Sequence, residues 1–114
     1  MLPLPPPDLQ TINETVNQAV HYRDYAEWDF TPLPAEGNCV SIAYSKFLLL
    51  KPRYGDRIHL ATCMVGEQTM HAFVVVDNTW FLDYNRAAPK GRDEMNCKGT
   101  IWSADAKLPK KARK

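Results

Sequence analysis

The sequence predicts an α+β domain in which N-terminal helices pack on one side of a small antiparallel β-sheet. Two observations carry that expectation. Helical periodicity is confined to the first half of the chain, and strand-like runs then follow one another in succession with only short turn signals between them. Length sets the scale: 114 residues, 45% of them hydrophobic, bury about two-thirds of their unfolded surface, which is enough for one core and not for two.

Taken in order, residues 1–10 are an extended proline-rich arm, with four prolines among the first seven residues. Thr11 and Glu14 then form a capping box, and Ile12, Val16, Ala19 and Val20 mark the buried stripe of a first helix. Tyr22, Tyr25, Trp28 and Phe30 crowd the connection and are expected to pack over the next helix, with Trp28, Phe30 and Trp80 near any cleft. Residues 29–37, with Pro32 and Pro34, are a loop. From Cys39 onward Val40, Ala43, Phe47 and Leu50 recur at helical steps, and Pro52 ends that helix. Gly55 and Asp56 turn into a strand over 57–65. Two further strands surround an Asp77-Asn78 turn. After Asn85 the pattern fades; Ile101-Trp102 adds a short edge strand, and 104–114 is a solvated basic tail, so the domain proper spans 11–103.

Three residues stand in settings that suit thiol chemistry. Cys39 opens the second helix after a Gly-Asn turn. A thiol there faces unpaired backbone N–H groups and the positive end of the helix dipole, a setting that favours the nucleophilic thiolate. The same N–H groups suit an oxyanion formed when a carbonyl is attacked. His71 opens the hydrophobic strand of the hairpin and Asp83 closes its return. Hairpin register decides whether they meet. A two-residue loop, Asp77-Asn78, pairs His71 with Tyr84 and places His71 and Asp83 on opposite faces. A three-residue loop over 76–78 pairs Val75 with Thr79, Phe73 with Phe81 and His71 with Asp83, and uses Asn78 in the left-handed conformation. Only the second register lets Asp83 hold one ring nitrogen of His71 while the other faces Cys39.

The order and spacing resemble the bacterial transglutaminase-like cysteine peptidases, a branch of the papain-like and transglutaminase superfamily. The resemblance runs through Val16-Asn17, Tyr22-Arg23-Asp24, Trp28, Pro34-Ala35-Glu36-Gly37, the Gly-x-Cys turn, Tyr44-Ser45-Lys46, His71-Ala72 and Leu82-Asp83. It implies a minimal papain-like or transglutaminase-like core, with Cys39 as nucleophile, His71 as general base and then acid, and Asp83 as the orienting carboxylate. The chain departs from that family where acidic residues usually flank the nucleophile, since Asn38 and Val40 stand there. No calcium site is expected at this turn, because calcium prefers several hard oxygen ligands. It also has less chain before the first helix than the family usually carries.

Composition narrows the classes. A formal charge of +1 lacks the basic excess of a general nucleic-acid binder. No apolar stretch approaches the ~20 residues of a membrane span, and the start lacks the basic and apolar regions of a secretory signal. Three cysteines without ligand spacing predict no zinc and no cofactor, and a reducing, cytoplasmic setting is the simpler one. Cys63 is expected to be a core residue, Cys97 an incidental thiol, and His21 in a helix and His59 in a strand to be structural or exposed. The resulting expectation is a thiol hydrolase that cleaves a peptide or isopeptide bond of a peptide or protein substrate, of a compact kind that suits a phage-encoded or mobile-element product. The same residues serve acyl transfer to an amine, and the alternative is a non-catalytic binding or inhibitory protein on the same scaffold.

Overall fold

A computed structural model of the chain describes residues 6–23, 30–33, 35–65, 69–84 and 98–103. The elements are α1 (Pro7–Ala19), β1 (His21–Tyr22), β2 (Glu36–Gly37), α2 (Cys39–Tyr54), a 3-10 turn (Gly55–Arg57), β3 (Ile58–Val65), β4 (Thr69–Val76), β5 (Trp80–Leu82) and β6 (Lys98–Ser103). Strands β5, β4, β3 and β6 lie in that order in one antiparallel sheet. The expected α+β architecture is present, with β6 as the edge strand around Ile101-Trp102. The basic tail, Trp28, Tyr25 and Cys97 lie outside the described residues.

Alternation along β4 divides the core. Ala72, Val74 and Val76 join Leu60, Leu82 and the α2 residues Val40, Ala43, Phe47 and Leu50 in one cluster between helices and sheet. Phe73, Val75, Ala61, Cys63 and Phe81 form a second cluster on the opposite face. All four periodic positions of α2 are therefore buried as expected. Phe30 packs edge-on against Tyr44 of α2, 6.0 Å between ring centres, and both Phe30 and Trp80 lie against the helix-side cluster.

Helix boundaries differ from the sequence expectation in three places. Thr11 does not cap α1: the helix begins at Pro7 and follows Pro6. Proline suits that first position because its missing N–H would lack an intrahelical partner anyway. The arm consequently loses its last residues to the helix, whose buried side chains are Leu9, Asn13 and Val16, while Ala19 is exposed. Pro52 sits inside the last turn of α2 instead of ending it; the stop is Gly55, which adopts φ +56° and returns its N–H to the Lys51 carbonyl. His21 lies in β1, not in a helix. It is exposed, as is His59 of β3.

The parallel pair of β1 and β2 has no sequence signature. His21 pairs with Glu36 and Tyr22 with Gly37, and the backbone bonds His21 N to Ala35 O and Arg23 N to Gly37 O measure 2.7 and 2.9 Å. This clasp fixes the turn that leads into α2. Gly37 is required there: a Cβ would collide with the Leu33 side chain and stand 2.9 Å from the Ser41 Cβ.

Candidate active site

Cys39 is the first residue of α2 because Asn38 caps the helix. The Asn38 Oδ1 accepts the Ser41 N–H at 3.0 Å, and the Asn38 carbonyl accepts that of Ile42 at 3.0 Å. Asn38 is 5% exposed, so the uncharged neighbour of the thiol has a structural task in this chain. The remaining first-turn donors are the N–H groups of Cys39 and Val40. Cys39 itself is a half-buried free thiol.

The hairpin follows neither register drawn from the sequence. Its loop has three residues, but they are 77–79, and the ladder pairs Val76 with Trp80, Val75 with Phe81 and Val74 with Leu82. Asp77 and Asn78 both adopt left-handed backbone, φ 55° and 53°, which their short polar side chains tolerate and a buried valine such as Val76 does not. Arg57 holds the turn from outside, with two 2.6 Å bonds to the Asp77 carboxylate and its carbonyl accepting the Asp77 N–H at 2.8 Å. Because the shift from the expected three-residue loop is by two positions, side-chain parity is conserved. His71 and Asp83 meet diagonally instead of face to face, and Nε2 of His71 lies 2.7 Å from Oδ1 of Asp83.

The structure thus brings Cys39, His71 and Asp83 together. His71 lies beyond the last ladder pair with β5, so no β5 residue pairs beside it, and Asp83 and Cys39 are the two side chains that act on its ring. Since Nε2 is engaged by Asp83, Nδ1 is the nitrogen left for Cys39. Burial alone would pull the imidazole down, but the hydrogen bond to Asp83, the hydrogen bond to Cys39 and the charges of both carry it up to about 9. The ring is an imidazolium at neutral pH. Asp83 is 3% exposed; its Oδ1 also accepts the Tyr84 N–H at 2.8 Å, and its carbonyl accepts the Asn17 amide at 2.9 Å. Tyr84 lies 5.8 Å from the His71 ring and stacks on Tyr22 of β1 at 4.6 Å.

In the sequence Asn17 and Lys46 stand only as parts of a family pattern, with no task of their own. A lysine at an apolar helical position, one residue before Phe47 and seven after Cys39, is the signal that could have singled out Lys46. The cysteine expectation needs correction. Cys63 is buried as expected, but it is disulfide-bonded, and disulfides persist in oxidising surroundings, so the cysteines no longer favour a reducing compartment. Among the described residues no helix is long and apolar enough to cross a membrane. The chain matches no protein-family model and no curated protein.

Proposed function

We propose that the chain is a thiol hydrolase of papain-like or transglutaminase-like type that cleaves a peptide or isopeptide bond. One observation carries this reading: the His71 ring is held by the Asp83 carboxylate at 2.7 Å and is acted on by the thiol of Cys39, the first residue of a capped helix. That is the arrangement of nucleophile, base and orienting acid that acyl transfer requires.

The reaction then runs on groups already in position. The Cys39 thiolate attacks the carbonyl carbon, and the oxyanion is received by N–H groups of the α2 first turn. As the C–N bond breaks, the imidazolium of His71 gives its Nδ1 proton to the departing amine, which leaves a thioester on Cys39 and a neutral imidazole. Neutral His71 next takes a proton from water, the hydroxide adds to the thioester, and loss of the carboxylic acid restores thiolate and imidazolium. Asp83 fixes the ring throughout. With an amine in place of water, the same steps give a new amide.

The test is a peptide mixture of broad sequence, incubated with the protein with and without an added primary amine and read by mass spectrometry. Bonds cut, or amines joined, by the native chain and not by Cys39→Ala or His71→Ala support the reading. Processing that is the same in all three overturns it, and so does a complete lack of processing together with a slow-alkylating Cys39.

A further inference from the structure

Among the described residues two charged side chains are buried, Lys46 at 0% and Asp83 at 3% exposure. Two asparagines of α1 reach them both. Lys46 donates from Nζ to Oδ1 of Asn13 on α1 at 2.7 Å, and its ammonium feels the charge of Asp83. Asn17, one helical turn beyond Asn13, donates its amide to the Asp83 carbonyl at 2.9 Å. Lys46 also follows Cys39 by seven residues on α2, which is two turns along one helix face, or ~10 Å of rise.

We propose that Lys46 is the positioning residue of Asp83, an ammonium held by Asn13 that closes the run of side chains Cys39, His71, Asp83, Lys46. A carboxylate with so little access to water needs opposite charge near it to remain ionised. His71 supplies that charge from one side, but it must become neutral in every catalytic cycle. Lys46 supplies a second cation that the chemistry does not consume. It takes no part in bond making; it acts through Asp83 on the imidazolium and so on the thiolate. Burial pushes Lys46 down to about 7, against the upward pull of Asp83, so its charge is fully present on the acid side. That is where Asp83 is most at risk of protonation. The groups facing this pair are Asn13 and Asn17 from α1, His71 from β4 and the Tyr84 N–H.

This inference rests on the thiol-hydrolase reading, and its test separates the two. The rate of Cys39 alkylation by iodoacetamide is followed against pH in the native chain, Lys46→Met, Asn13→Asp and Tyr54→Phe, with folding checked by thermal melting. Lys46→Met removes the cation. Asn13→Asp gives the ammonium a competing carboxylate in a nearly isosteric side chain, so it reports even if Lys46→Met does not fold. Both are expected to move the acid limb of the profile up by roughly one pH unit. Tyr54→Phe, which removes a hydroxyl bonded to Asp8 at the far end of α2, is expected to lower the melting temperature and leave the limb in place. A folded Lys46→Met with an unmoved limb overturns the assignment, as does an unmoved limb in Asn13→Asp when Lys46→Met is unfolded. If the native chain itself lacks a reactive thiol below pH 7, the hydrolase reading falls first.

Discussion

Asp83 shows how much rests on single side chains. Its carboxylate binds the His71 ring, caps the Tyr84 N–H and answers the charge of Lys46, while its backbone carbonyl takes the Asn17 amide. Replacing it by Asn keeps the shape and removes the charge. The His71 imidazolium, now held at about 9 against the opposing effect of burial, is then expected to titrate at least one unit lower, read from its ring-proton shifts by NMR. An unchanged midpoint would mean that Asp83 does not set the state of the ring. At this scale the sequence was informative about the three reactive side chains, because Cys39 opens α2 and Asp83 directly follows β5, although β4 begins at Thr69, two residues before His71. It was silent about their supports. A buried lysine and two buried or half-buried asparagines look like surface residues until α1 is laid against α2 and the end of β5.

Among the elements, the hairpin is instructive because its register was wrong and its consequence right. Parity is a property of even shifts, so a loop of 77–79 in place of 76–78 leaves His71 and Asp83 on a common face. What chose the loop was not visible in the hairpin itself. Arg57 grips Asp77 from outside, and Val76 is fully buried in the core. The β1 and β2 clasp was equally hidden, being two residues on each side held by backbone bonds and the exposed Arg23–Glu36 ion pair at 3.2 Å. Its glycine gives a sharp expectation. Gly37→Ala drives a methyl group into Leu33 and Ser41, which should cost about 1–3 kcal/mol by overpacking. Because Gly37 precedes the cap residue Asn38, the same change should slow Cys39 alkylation. Thermal melting and alkylation together check it; an unchanged melting temperature would show that the segment relaxes freely.

For the whole molecule, buried Lys46 and half-buried His71 make opposite demands on pH. His71 is raised from 6.5 to about 9 with burial opposing Asp83 and Cys39, so the stability it contributes is complete below 6.5 and is lost as pH climbs to about 9. Lys46 is lowered from 10.5 to about 7 by burial, so the cost of its charge is felt below about 7 and is relieved as pH climbs toward 10.5. Between pH 7 and 9 the two trends cancel, and the stability contributed by this pair should be nearly flat there. Chemical denaturation should show Lys46→Met losing about 1 kcal/mol per pH unit across that window, and His71→Ala gaining about as much. If all three chains share one profile, the buried charges are not arranged as described. The α+β class and the succession of strands were legible at this scale, since they follow from periodicity. The disulfide at Cys63 was not, because pairing depends on the folded chain and not on spacing in the sequence.

All of these expectations depend on an assembled thiolate and imidazolium, and the pH dependence of Cys39 alkylation in the native chain and in His71→Ala reads it directly. Iodoacetamide labelling followed by peptide mass spectrometry should find native Cys39 reacting rapidly at pH 6.5. His71→Ala should be slower there by roughly 100-fold, because an ordinary thiol titrating near 8.5 is only about 1% thiolate at that pH. A native Cys39 that reacts no faster than His71→Ala at pH 6.5 would contradict the triad and with it the proposed hydrolase.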